Sequence, residues 1–212
     1  MFHYFRNDAG TFPAIGSQPA PTTEEAQQAL IDDLQTWKTA HYKTLLETQA
    51  VARPGVVALL DEALADPTIA VGVCSAATKE AAAKTLEITL GPDRVAQLDV
   101  CILGDDVSAK KPNPLIYQTA AERLNIAPAQ CVVVEDSLIG LQAAKGAGMK
   151  CIITYTSSTA SIDFYAHGAQ AKMPDLETAG VTLASIFDPL RTQGLDAELL
   201  VDVRDPIETN VA

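Results

Sequence analysis

The sequence predicts an α/β protein in which a parallel sheet is covered by helices on both faces and preceded by a largely helical segment. Three observations carry that expectation. From about residue 69, short apolar runs of strand length alternate with stretches of helical periodicity. Runs such as Val132-Val-Val134 are apolar at successive positions, so both of their faces are to be buried, as in parallel sheets. Small polar groups and charges gather directly after the runs, where open parallel sheets carry their ligands.

The elements follow in order. Residues 1–22 hold Gly10, Pro13, Gly16, Pro19 and Pro21, and little regular structure is expected there. Thr23 with Glu24 and Glu25 starts a long helix, in which Ala26, Leu30, Leu34, Trp37 and Leu45 recur at roughly helical spacing; one break is allowed before Arg53-Pro54-Gly55. A second amphipathic helix covers Val56 to Ala65. Then come a strand at Ile69–Cys74, a helix at Lys79–Ile88 and a strand at Val100–Leu103. A helix at Asn113–Leu124, a strand at Cys131–Val134, a helix at Leu138–Ala147 and a strand at Cys151–Thr154 complete the alternation. Beyond Thr154 the periodicity weakens, and no assignment is made for 181–212.

Bulk properties narrow the function classes. A chain of 212 residues with 48% hydrophobic residues buries a real core. Its net charge of −12 repels nucleic acid and anionic membrane alike, which leaves a small molecule as the expected partner. Cys74, Cys101, Cys131 and Cys151 each lie in or beside an apolar run with no C-x-x-C pair, the pattern of reduced, buried thiols inside a cell. No apolar stretch approaches the roughly 20 residues of a membrane helix, and Phe2-His3-Tyr4-Phe5-Arg6 after Met1 is no recognisable leader.

Three strand ends supply candidate chemistry. Ser75 offers a hydroxyl and Ala76 a backbone N–H at a strand-to-helix junction, a pairing that suits phosphate oxygens, although a serine there commonly only caps the helix. Lys111 lies between Lys110 and Pro112-Asn113-Pro114, whose prolines stiffen the backbone and fix the lysine in one direction. A cation at a helix amino terminus opposes the macrodipole, which argues for a role there beyond solvation. Glu135 and Asp136 are adjacent carboxylates at the end of a buried run, costly without a cation and suited as hard ligands to Mg²⁺. Asp105 and Asn113 flank this set as weaker candidates. Trp37, His41 and Tyr42 on the first helix are read as packing residues.

The order Ser75, Lys111, Glu135-Asp136 on successive strand ends resembles the haloacid-dehalogenase superfamily of phosphotransferases. More narrowly, Arg53-Pro-Gly-Val, Val73-Cys-Ser75, Leu90-Gly-Pro-Asp93, Lys110-Lys-Pro-Asn-Pro114 and Val132-Val-Val-Glu-Asp-Ser-Leu-Ile-Gly140, followed by Ala147-Gly-Met149, resemble the CbbY-like sugar-phosphate phosphatases. The resemblance implies a Rossmann-like three-layer core over 53–212 and part of a helical cap over 1–52. It also implies that Ser75 and the Ala76 N–H hold a phosphoryl group, that Lys111 stabilises it, and that Asp136 with Glu135 binds Mg²⁺. The implied substrate is a phosphorylated sugar such as xylulose 1,5-bisphosphate, and the implied compartment is the plastid stroma, or else the cytoplasm.

That family opens its core with a central strand ending in Asp-x-Asp, the nucleophile followed by the general acid and base. No aspartate of this chain has a second aspartate two places later; the nearest imitation, Leu199-Leu-Val-Asp202-Val-Arg204, has an arginine there. The expectation is therefore an N-terminally truncated form, inactive and poorly stable alone, with unpaired edges where the strand would lie. A non-catalytic phosphate-binding or subunit-interaction protein of the same descent is the alternative. A phospho-accepting receiver also combines an acidic pair, a hydroxyl and a lysine, but carries the acidic pair first and the lysine last, the reverse of the order here.

Overall fold

The computed structural model describes residues 4–187, save the side chains of Thr39, Tyr42 and Lys43. The segment around Asp202 and Arg204 lies outside the described residues. The chain divides into two compact units, with the boundary between Ala50 and Val51.

In the first unit a π-helical turn at Tyr4–Asp8 precedes a single helix, α1, over Glu24–Gln49. Thr23 Oγ1 accepts from the Ala26 N–H and so closes the helix start, as the Thr-Glu-Glu sequence indicated. The helix runs unbroken through its length, where the sequence allowed one interruption. Phe5 packs on Phe12 with ring centroids 5.4 Å apart, and Trp37 stacks on His41 at 5.0 Å.

The second unit alternates as expected. Helix α2 spans Val56–Ala65 and strand β1 Gly72–Cys74; α3 covers Lys79–Leu90, the short α4 Pro92–Val95, and β2 Val100–Ile102. Helix α5 is Leu115–Leu124, β3 Val132–Glu135, α6 Leu138–Gly146 and β4 Lys150–Thr154; β5, Ala171–Met173, and α7, Leu183–Phe187, follow. Strand β5 has no counterpart in the sequence reading, because Ala171-Lys-Met173 mixes a charge into an apolar run. Its Lys172 is nonetheless 8% exposed: the ammonium donates to the Ala160 carbonyl at 2.8 Å and lies over the Tyr155 ring. Strand β1 is shorter than predicted, since Asp99 caps the Val71 N–H with its side chain and the ladder starts only at Gly72.

All strand pairs are parallel: β1 with β2, β3 with β4, and β4 with β5. They form two sheets rather than one, β1-β2 and β3-β4-β5, with no ladder between β1 and β3. Two cores result from the side-chain alternation of β4. Cys151 and Ile153 point into a cluster with Ile116, Leu141, Ala144 and Phe164, the face of α5 and α6. Ile152 points the other way, to a cluster of Ala171, Met173 and Leu176 against Val56 and Leu59 of α2 and Ile186 of α7. Helices thus cover the strands on both faces, giving the three layers.

Candidate active site

Each candidate side chain is delivered by a strand end or the turn after it. At the end of β1 the Ser75 N–H donates to the Ile102 carbonyl, which anchors the turn to β2, and its hydroxyl accepts from the Ala77 N–H at 3.2 Å. The Ala76 N–H has no acceptor among the described residues. After β2, Asp105 accepts from the Lys79 N–H at 2.9 Å and Asp106 pairs with the Lys79 ammonium at 2.7 Å. Asn113 accepts from the Leu115 N–H at 3.0 Å. Asp105 and Asn113 are therefore occupied with starting α3 and α5.

Lys111 lies at the centre. Its ammonium donates to the Cys74 carbonyl at 3.2 Å, to the Tyr117 hydroxyl at 2.9 Å, and to Glu135 Oε1 in a short ion pair. Both side chains of that pair are 9% exposed. The Tyr117 hydroxyl donates in turn to Glu135 Oε1 at 2.5 Å. The other carboxylate oxygen, Oε2, accepts from the Ser137 hydroxyl at 3.2 Å and the Asp136 N–H at 3.3 Å. Burial pushes the Glu135 carboxyl up, but the charge of Lys111 and the hydrogen bonds from Lys111 and Tyr117 outweigh it and hold the group below its ordinary range. Burial and the neighbouring Glu135 charge drive the Tyr117 phenol upward, so it stays a donor. The Cys74 thiol is pushed up to about 11 by burial and remains an inert neighbour.

Gly140 explains the spacing of the motif that follows β3. A Cβ at that position would overlap the Glu135 carboxylate, which lies directly over the first turn of α6. Ser137 caps the same turn by accepting from the Gly140 N–H at 3.1 Å. The segment Glu135-Asp-Ser-x-x-Gly140 therefore folds a carboxylate back onto a helix start that only glycine leaves open.

Asp136 differs from Glu135. Its main-chain carbonyl accepts from Thr159 at 3.1 Å, while its carboxylate has no partner among the described residues and is exposed. No group of three or more His, Cys, Asp or Glu side chains able to hold a metal occurs among the described residues. The donor chemistry suits a hard cation at Asp136, whereas both oxygens of Glu135 are already taken by protein donors.

Ser75, Ala76, Lys111, Glu135 and Asp136, drawn from three separate stretches of sequence, line one cavity of about 650 Å³. Tyr117 is a participant that the sequence did not single out, and Arg53 was read there only as part of a motif, with no role at the site. Tyr117 is hidden because an apolar helix face normally explains an aromatic; its position six residues after Lys111 was the available signal. Arg53 stands in the Arg-Pro-Gly turn, and its guanidinium donates to the carbonyls of Thr154, Tyr155 and Pro174 at 2.6–2.7 Å, tying together the carboxyl ends of β4 and β5.

Residues 13–148 match the sequence profile of the haloacid dehalogenase-like hydrolases. A haloacid dehalogenase-like hydrolase domain-containing protein of Arabidopsis thaliana is 44% identical over 192 residues, 87% of this chain and 60% of its own length. A CBBY-like protein of the same plant is 43% identical over 148 residues, 69% of this chain and 46% of its own. The chain thus spans less than two thirds of the length of either relative. Among solved structures, CbbY from Rhodobacter sphaeroides in complex with phosphate is similar to it with a TM-score of 0.67 at 30% identity, covering 86% of this chain and 73% of that one. A variant of the same protein in complex with xylulose-(1,5)bisphosphate matches equally well.

Proposed function

The chain belongs to the haloacid dehalogenase-like hydrolases, and on that premise we propose that its site handles the phosphoryl group of a phosphorylated sugar, with a xylulose bisphosphate as the leading candidate. The observation that carries this reading is the convergence of Ser75, Ala76, Lys111 and Asp136 on one cavity at the carboxyl ends of β1 and β3. The ligands of the Rhodobacter neighbours, phosphate and xylulose-(1,5)bisphosphate, support the substrate class.

Ser75 Oγ and the Ala76 N–H are proposed to receive two phosphoryl oxygens. Lys111 balances the charge on a third, exchanging its bond to Tyr117 or to the Cys74 carbonyl for one to the substrate. Glu135 and Tyr117 keep the ammonium aimed. The Asp136 carboxylate is the group that would hold Mg²⁺, with Glu135 beside it, and the ion when bound would withdraw charge from the phosphoryl oxygens. Residues 1–52 are proposed as part of a helical cap and 53–212 as the catalytic core. The plastid stroma is the proposed compartment, to be checked by the fate of a fluorescent fusion; no described helix is long and apolar enough to cross a membrane.

The attacking aspartate of an Asp-x-Asp pair is absent from the sequence. We therefore propose that the 212-residue polypeptide binds phosphorylated sugar without hydrolysing it. The same observation favours a second reading, a phosphate-binding or subunit-interaction protein that performs no chemistry in any setting. Calorimetric titration with xylulose 1,5-bisphosphate, with and without Mg²⁺, tests both. Expected is Mg²⁺-strengthened binding that Lys111→Ala weakens at least tenfold, with no phosphate release. Failure to bind would overturn the phosphoryl-site reading, and phosphate release by the chain alone would overturn its inactivity.

A further inference from the structure

The segment that follows β4 is held at both ends by cations. The half-buried Arg53 guanidinium donates to the Thr154 and Tyr155 carbonyls at 2.6 and 2.7 Å. Farther along, the buried Lys172 ammonium donates to the Ala160 carbonyl at 2.8 Å, from over the Tyr155 ring. Between these cations Thr156 and Thr159 close a turn on each other. The Thr159 N–H donates to the Thr156 carbonyl and the Thr156 N–H to Thr159 Oγ1, both at 2.9 Å. Hydrogen bonds from charged donors are the stronger ones, so the main chain at 154–160 has little freedom.

This turn reaches across to the residue after β3. Thr159 Oγ1 accepts from the Thr156 N–H and has one proton to give; the Asp136 carbonyl receives it at 3.1 Å, the Thr156 carbonyl lying farther off at 3.5 Å. The Thr156 hydroxyl is satisfied by Ser158 Oγ at 2.9 Å, with Thr159 Oγ1 next at 3.2 Å. On its other side the Asp136 N–H donates to Glu135 Oε2 at 3.3 Å. Side chains therefore hold both main-chain groups of Asp136, while its carboxylate stays exposed, without a partner among the described residues, on a residue that lines the cavity. The peptide that carries the Asp136 carbonyl is planar, so a bond to its oxygen also resists rotation about the Cα–C bond and fixes the direction in which the side chain leaves the main chain.

We propose that Thr159 is a positioning residue for the cation site at Asp136: its hydroxyl fixes the Asp136 main chain and, through it, the aim of the carboxylate. The inference rests on the reading of Asp136 as the group that would hold Mg²⁺. A small hard cation tolerates little departure from octahedral oxygen geometry, so a carboxylate free to swing with its peptide binds it less well than one held still. Valine in place of Thr159 keeps the shape and removes the link to Asp136. Arg53 and Lys172 act one step behind Thr159, by holding the turn that carries it.

The test titrates the whole 212-residue chain with Mn²⁺, which shares the oxygen-ligand preference of Mg²⁺, and follows the loss of the free-ion electron paramagnetic resonance signal. Thr159→Val is expected to weaken Mn²⁺ binding about tenfold, the loss typical of a group that orients a metal ligand. Thr159→Ser, which keeps the hydroxyl, is expected to restore most of the affinity, and Ser158→Ala, which leaves the bond to Asp136 in place, to change nothing. Asp136→Asn is expected to weaken binding at least as much as Thr159→Val, and the two together no more than Asp136→Asn alone, because Thr159 acts through Asp136. A turn that mattered only for stability would add its loss to that of Asp136→Asn. No Mn²⁺ binding by the unaltered chain, or binding that Asp136→Asn leaves unchanged, would remove the cation site and this inference with it. A loss with Asp136→Asn but none with Thr159→Val, or additive losses, would overturn the role of Thr159 alone.

Discussion

Lys111 has three ammonium protons and meets three acceptors, so its position is set by hydrogen bonding as much as by charge. Removing it leaves Glu135 in a nearly closed site with only Tyr117, Ser137 and a main-chain N–H. Lys111→Met is expected to cost about 3–5 kcal/mol of stability, the penalty of an uncompensated buried charge, and Lys111→Met with Glu135→Gln to recover most of it; urea denaturation of the three proteins measures this. The same carboxylate gives a pH signature. Its folded-state pKa is depressed, so in acid the unfolded chain binds more protons at this group than the folded one does. Its stabilisation is complete above the ordinary glutamate value of about 4.3 and is lost as pH falls through the lower, folded value. The double variant is expected to lose that part of the acid dependence, read as the urea midpoint across the same pH range.

At the scale of elements, local chemistry places each strand end, and one side chain binds several ends together. Gly140 lets the Glu135 carboxylate lie over the start of α6, and Gly55, at φ 80°, turns the chain into α2 where a Cβ would press on the backbone of Leu176 and Glu177. Arg53, just before Pro54-Gly55, donates to three carbonyls at the ends of β4 and β5. Those carbonyls need a planar fork with donors in fixed directions, which an ammonium does not supply. Arg53→Met is expected to lower stability by at least the about 1.5–3 kcal/mol of one charge-assisted hydrogen bond, and Arg53→Lys to recover less than half of it. Denaturant midpoints for the two variants decide the matter. Lysine equal to arginine would show that only the positive charge counts.

At the scale of the whole molecule, the five strands among the described residues form two separate sheets, which hold together through helices, α5 in particular, which packs on β1, β2 and α6. Without a shared ladder the parts are expected to open separately: native-state hydrogen exchange should show amides of β4 more protected than those of β1 and β2, with different opening free energies. One common opening energy would show a single cooperative unit instead. Much of this was legible in the sequence. Apolar runs placed four of the five strands, Thr23 started α1, and the residues after three strands marked Ser75, Lys111 and Glu135-Asp136 as a set, because strand period, capping chemistry and proline stiffness act over a few residues. What the sequence could not assign depends on contacts between distant residues. It did not divide the roles of the acidic pair: only the folded chain brings Lys111 and Tyr117 to Glu135 and leaves the Asp136 carboxylate open to solvent. Nor did it show β5, whose lysine is accommodated by a carbonyl and an aromatic ring from the segment between β4 and β5. The absence of Asp-x-Asp, and with it the missing ladder between β1 and β3, could be read from the sequence alone, whereas the residues that line the cavities beside those strands could not. Pattern along a chain specifies which groups each strand end carries; the pairing of strand edges and the neutralisation of buried charge are decided only where separate segments meet.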